Sequence, residues 1–146
     1  MKEGFPMSTQ QKNNITQFGY ELIRDHVLSS ILGKNEEDIL YWCGKELARK
    51  YPLYDLEEAI SFFAEAGWGD LTIDKVSSNE AFCTLTGDPE ILKFEQRCFR
   101  LEAGFLAQTQ QKCSGYLTEC FEEKKPKQAQ VKFHIKWDLK DKVEEG

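Results

Sequence analysis

Cys98-Phe99-Arg100-Leu101-Glu102-Ala103-Gly104-Phe105-Leu106-Ala107 is the densest apolar run in the chain, and only Arg100 and Glu102 interrupt it. A helix that is apolar nearly all round is buried nearly all round. The run therefore predicts a central helix over Cys98–Cys113 with other elements packed about it. Gly104 in mid-helix costs about 1 kcal/mol relative to alanine, and close approach by another element is the expected compensation. The polar stretch from Gln108 to Lys112 is expected to emerge into solvent, and Ser114-Gly115 ends the helix.

Downstream, Val131, Phe133, Ile135, Trp137 and Leu139 alternate with Lys132, His134, Lys136 and Asp138. Period-2 alternation means a strand in a sheet with one face buried. Its expected partner is the stretch from Tyr116 to Glu123, joined to it by a turn around Lys124–Gln128. Upstream, Leu71, Ile73 and Val76 suggest one strand and Ala81, Cys83 and Leu85 a second, with Ser77-Ser78-Asn79 as their turn. Gly87-Asp88-Pro89 breaks the chain before the central helix.

Three helices precede the strands. In Thr16–Leu32 the residues Tyr20, Ile23, Val27 and Ile31 recur at helical spacing, and Leu22, Leu28 and Leu32 widen that stripe. Gly33 stops it. Asn35 is placed to cap a second helix, which runs to Lys50 or Tyr51 with Ile39, Cys43 and Leu47 on one face and Pro52 at its end. Asp55 with Glu58 resembles a capping box opening a third helix, whose apolar face is Leu56, Ala59, Ile60, Phe63 and Ala66. Gly67-Trp68-Gly69 is its exit. The fold class is α+β, with helices packed on one face of an antiparallel sheet in the order ααα-ββ-α-ββ. The polar residues 1–14 read as a flexible arm, 15–139 as one domain and 140–146 as a loose tail.

A chain of 146 residues is the size of one domain and needs no staple to fold. The net charge of −6 argues against nucleic-acid binding. No window approaches the roughly 20 apolar residues of a membrane span. The first residues carry no apolar signal core. The five cysteines, Cys43, Cys83, Cys98, Cys113 and Cys120, are odd in number and form no C-x-x-C. A reducing, cytoplasmic setting with free thiols is the expectation.

Several segments carry a family likeness. They are Tyr20-Glu21-Leu22-Ile23-Arg24, Tyr41-Trp42-Cys43-Gly44-Lys45, Leu47-Ala48-Arg49-Lys50, Glu65-Ala66-Gly67-Trp68-Gly69, Leu101-Glu102-Ala103-Gly104-Phe105 and Lys136-Trp137-Asp138. In these the chain resembles the YslB-type proteins of low-GC Gram-positive bacteria, over about residues 15 to 143. That family is a domain of unknown function, so the resemblance implies a fold and no activity. The implied fold is similar to vinyl-reductase-type ligand-binding domains and to TRAPP trafficking subunits, the NO signalling and Golgi transport superfamily. Haem-based gas sensors are more distant relatives. Such domains bind a small apolar molecule or dimerise. The Tyr-x-Ser-x-Arg motif of the haem sensors is absent here. Zinc-bearing relatives pair a Glu with several Cys at the last hairpin. This chain has Glu119 and Cys120 there, but Ala129-Gln130-Val131 where a second Cys would stand.

Neither a metal nor a cofactor is expected, because the cysteines lack the short-spaced pair that fixes zinc. His26 and His134 have no identifiable third group to orient them as catalytic bases, the carboxylates sit at helix starts and turns, and there is no phosphate loop. No catalytic residue is nominated, and the chain reads as a non-enzyme. Lys124-Lys125-Pro126-Lys127 reads as a solvated turn or a docking point for an anion. The aromatic set is the functional lead: Phe62, Phe63, Trp68, Phe99, Phe105 and Trp137, with Cys98, form either an ordinary core or the lining of an apolar ligand pocket. The expectation is a small apolar ligand in such a pocket. The alternative is a homodimeric interaction module built on the first two helices, whose apolar width exceeds one core-facing stripe.

Overall fold

The computed structural model describes residues 17–143. Four antiparallel strands, β1 (Asp70–Val76), β2 (Glu80–Thr86), β3 (Tyr116–Lys125) and β4 (Gln130–Lys142), form one sheet in the order β1-β2-β4-β3. The alternation along β4 places Val131, Phe133, Ile135 and Trp137 on the buried face. Ala81, Cys83 and Leu85 of β2 and Thr118 and Cys120 of β3 continue that face. Helices cover it: α1 (residues 17–32), α2 (Glu36–Lys50), α3 (Glu58–Glu65), the single turn α4 (Pro89–Leu92) and α5 (Arg100–Ser114). The expected class and order hold, with α4 added. Asp88 caps that turn, its carboxylate accepting the Glu90 N–H at 2.9 Å.

The central helix α5 is buried continuously from Leu101 to Thr109. It starts two residues later than read from the sequence, and its burial extends past Gln108. Two of the glutamines there bond to neighbouring elements. Gln108 accepts from Arg49 of α2 at 3.4 Å, and Gln111 accepts the Thr118 N–H of β3 at 3.2 Å.

Close approach at Gly104 is confirmed, and it is reciprocal. A Cβ added at Gly104 would lie 2.0 Å from the Tyr41 carbonyl oxygen, and one added at Gly44 would lie 2.1 Å from that of Leu101. The α2 and α5 backbones thus touch through two glycines. This rotates the buried face of α2 by one residue from the expected Ile39, Cys43 and Leu47 to Leu40, Gly44 and Ala48. Hydropathy gives glycine little weight, so the closest contact is the least visible in the pattern.

One expected cap is absent, and the other forms with its return bond shifted by one residue. Asn35 precedes α2 but its side chain makes no capping bond. At α3, Asp55 accepts the Glu58 N–H at 3.1 Å, while Glu58 reaches back to the Tyr54 N–H at 2.6 Å. Gly67 (φ 75°) and Gly69 (φ 128°) supply the backbone angles of the α3 exit. β4 continues to Lys142, which pairs with Tyr116, so residues 140–142 of the stretch read as a loose tail belong to the sheet. Leu139, expected on the buried face, is exposed. The arm read over residues 1–14 lies outside the described residues.

One edge of the sheet is tied to a helix. The Tyr41 hydroxyl of α2 accepts the Cys120 N–H of edge strand β3 at 3.1 Å and donates to Glu119 at 2.9 Å. Arg100 lies over the Tyr41 ring, 4.1 Å from its centroid, and pairs with Glu122 at 2.9 Å.

Candidate functional site

The largest departure from the sequence reading is α1. Leu22–Val27 is π-helical, and the Leu28 N–H donates to the Ile23 carbonyl five residues back. In a regular α-helix of 3.6 residues per turn, positions four apart drift by about 40° per step. The wider turn offsets that drift, so residues four apart stay on one face through the helix. Tyr20, Arg24, Leu28 and Leu32 form the inward face, with Arg24 fully buried. Ile23, Val27 and Ile31, expected in the core-facing stripe, are 58%, 46% and 71% exposed. Phe18 and Leu22 are exposed with them, as are Ile39 and Trp42 of α2.

The inward face of α1 is held by charge. Arg24 donates to Glu102 at 2.6 Å, to the Cys98 carbonyl at 2.8 Å and to the Tyr20 hydroxyl at 2.5 Å. Glu102 is the one acidic residue inside the apolar run of α5, and its side chain is wholly buried. Asp25, the next residue of α1, takes both Nε and Nη2 of Arg97 at 2.7 and 3.0 Å. This pair is buried too. Burial works against the Arg24 charge, but Glu102 and the Tyr20 hydroxyl outweigh it and hold the guanidinium above its ordinary value. Burial raises Tyr20. Among the described residues, Arg24 Nε, Arg97 Nη1, Glu102 Oε2 and Thr109 Oγ1 are buried without a hydrogen-bond partner. The sequence places Arg24 and Asp25 in an amphipathic helix but gives no sign that they turn inward. The lone Glu102 was the visible clue that a buried cation must exist.

A cleft of about 330 Å³ opens beside this cluster. Its walls are Gln17 and Tyr20 of α1, the last turn of α3 from Ala64 to Gly67, Ile91 of α4, and Arg97. A second hollow, on the outer face of the sheet, has Leu117, Phe121 and Lys136 among its walls.

The expected aromatic set divides. Phe62, Phe63, Trp68 and Phe105 pack directly on one another, with ring centroids 4.3 to 6.2 Å apart. Phe99 stacks instead on Phe94, Trp137 lies toward the far end of β4, and the Cys98 thiol is half-buried near Arg24. All five cysteines are free thiols. His26 is exposed. His134 stacks on Phe82 and meets Glu80 at 2.8 Å on the outer sheet face. Within the basic turn, Lys124 binds the main-chain carbonyls of Glu95 and Arg97, both at 3.1 Å, which steadies the loop that carries Arg97. Among the described residues, no group of three or more His, Cys, Asp or Glu side chains converges as metal ligands would. No described helix is long and apolar enough to cross a membrane.

A family model described as "Protein of unknown function (DUF2507)" matches residues 17–136. The chain belongs to the DUF2507 family. Among DUF2507-like relatives, the uncharacterized protein YslB of Bacillus subtilis (strain 168) is 41% identical over 149 residues, covering 98% of this chain and 100% of that protein. The fold of this DUF2507 chain is similar to that of a vinyl-4-reductase family protein from Methanocaldococcus jannaschii. The TM-score is 0.58 at 19% identity, over 94% of this chain and 85% of the other. An Fe(II) unliganded H-NOX protein from K. algicida matches at TM-score 0.49 and 14% identity, over 75% and 67% of the chains. A trafficking protein particle complex subunit 3 from Naegleria fowleri, covalently bound to palmitic acid, matches at 0.46 and 12%, over 92% and 93%. These likenesses concern the fold.

Proposed function

We propose that this DUF2507 chain is a non-catalytic association module that forms a homodimer through the outward face of α1, joined by Ile39 and Trp42 of α2. The inversion of α1 carries this reading: its charged residues Arg24 and Asp25 point into the protein while Ile23, Val27 and Ile31 point out. A surface helix ordinarily does the opposite. An outward apolar stripe of this kind suits a face that another surface covers.

The extent of the face supports a second copy as the occupant. Phe18, Leu22, Ile23, Val27, Ile31, Ile39 and Trp42 together expose on the order of 600 Å² of apolar surface, if a large side chain offers roughly 150–250 Å² when fully bare. A specific interface takes about 800 Å² from each partner, rim included. A twofold pairing of the same face on itself needs no other partner. A small apolar ligand among the aromatic residues has weaker support, because four of those rings already fill one another's contact distance.

Sedimentation velocity at micromolar concentration tests the proposal. The expected result is a dimer that becomes a monomer when Ile23→Glu and Ile31→Glu are combined. A wild-type monomer across that range, or a variant that stays dimeric, overturns it.

A further inference from the structure

We propose that the open edge of β1 and the apolar groove beside it form a docking site for an extended segment of a partner protein, in which apolar side chains alternate with lysine or arginine. The segment adds a further strand to the sheet. This is independent of the dimer proposed above, which uses α1 and α2.

The two borders of the sheet differ. At β3 the Tyr41 hydroxyl takes the Cys120 N–H. β1 is paired with β2 alone, and among the described residues no main-chain group outside β2 bonds to it. In an antiparallel strand alternate residues turn both N–H and C=O to the same side. The outer side of β1 therefore presents donors and acceptors in the arrangement that an incoming strand pairs with.

A groove of about 460 Å³ opens between the start of α3 and β1. Its apolar walls are Leu56 and Ile60 on one side and Ile73 and Val76 on the other. Ile73 and Val76 are three apart and would point to opposite faces of a regular strand. The register slips between Ile73 and Lys75, and the extra residue, Asp74, brings both to the helix side, opposite Cys83 and Ala81. Asp74 itself turns to the other face, where it accepts from Thr84 at 2.5 Å and from Thr72 at 3.2 Å. Val76 is 59% exposed and Ile60 39%, so the groove is open to an incoming side chain as it stands.

The charge around the groove selects the partner. Asp55 and Glu57 stand at its mouth, and Asp70 and Asp74 lie along β1, whose one basic residue is Lys75. All four acidic residues are exposed. In an added strand successive side chains point to opposite faces. Those on the helix side meet Leu56, Ile60, Ile73 and Val76, which favour apolar residues. Those on the outer side meet Asp70 and Asp74, which favour cations. An acidic strand is opposed by all four carboxylates.

Titration calorimetry and hydrogen exchange of the full chain with the capped peptide Lys-Val-Lys-Val-Lys-Val test the site. The peptide is expected to bind, and its acidic counterpart Glu-Val-Glu-Val-Glu-Val to bind at least about tenfold more weakly. Amide exchange over Asp70–Val76 is expected to slow when the basic peptide is bound. No binding of that peptide at millimolar concentration, acidic peptide bound as tightly, or binding without slower exchange in β1 overturns the proposal. Val76→Lys, at an exposed position, is expected to weaken the basic peptide at least about tenfold and leave the oligomeric state unchanged. Unchanged peptide binding overturns the proposal. So does a Val76→Lys variant that turns a dimeric wild type into a monomer, since the edge would then be occupied by a second copy of this chain.

Discussion

Gly44 and Gly104 each lie against the main chain of the opposite helix, where an added Cβ would sit 2.1 Å from the Leu101 carbonyl oxygen and 2.0 Å from that of Tyr41. Main chain in a central helix pair cannot step aside as a side-chain tip can. Gly44→Ala and Gly104→Ala are each expected to destabilise by about 3 kcal/mol or more, above the ordinary range for overpacking. The double variant should cost less than the two singles combined, because separating the helices for one Cβ makes room for the other. Urea unfolding midpoints check both statements.

The Arg24–Glu102 pair makes a different prediction. Arg24→Met alone leaves Glu102 buried without its cation, and Glu102→Leu alone strands Arg24. Each is expected to cost about 3–5 kcal/mol. The double replacement should recover most of that loss, because a matched apolar pair in place of a buried ion pair is often neutral. A double-mutant cycle by chemical denaturation measures the coupling. Additive losses would contradict a direct pair.

Alkaline pH should weaken the fold. Burial pushes the Cys83 thiol up to about 12, holds Cys120 well above its ordinary value, and raises Tyr41. The unfolded chain releases these protons near about 8.5 for cysteine and 10 for tyrosine. Above those values the native state keeps more protons than the unfolded state, so stability falls as pH rises. The contribution is intact below about pH 8.5. Denaturant midpoints followed from neutral to alkaline pH should decline, and Cys83→Ala or Tyr41→Phe should flatten the decline.

Thiol labelling should sort the cysteines by burial. Cys113 is exposed and is expected to react first at mildly alkaline pH, with Cys43 and Cys98 following. Cys83 and Cys120 are buried and should react only as the chain opens. Mass spectrometry of time points reads the order directly.

The sheet and its strands were legible because side-chain alternation is a strictly local signal: Val131 to Trp137 fixes a strand and its buried face at once. The central helix was legible from its composition, and Gly104 announced a close contact without naming Gly44 as the other half. The first helix misled. Regular spacing through Tyr20, Ile23, Val27 and Ile31 assumes 3.6 residues per turn, and the π-helical segment breaks that assumption within one turn. Nothing local in Leu22–Val27 marks the change; it is tied to partners 72 and 78 residues away, Arg97 and Glu102. The cleft was missed for the same reason. Its walls come from four separate segments, and only the fold brings Glu65 and Arg97 to the same space.

The hydroxyl of Tyr41 that occupies the Cys120 N–H has a consequence for how copies of this protein can meet. An open strand edge invites another chain to extend the sheet, and repeated extension leads to fibres. Here one donor of the β3 border is already spoken for, and the Tyr41 ring that supplies it is pinned beneath Arg100. A foreign strand would have to evict that ring to pair in register. The β3 border is closed to growth at that point, so extension of the sheet is left to the opposite edge, β1.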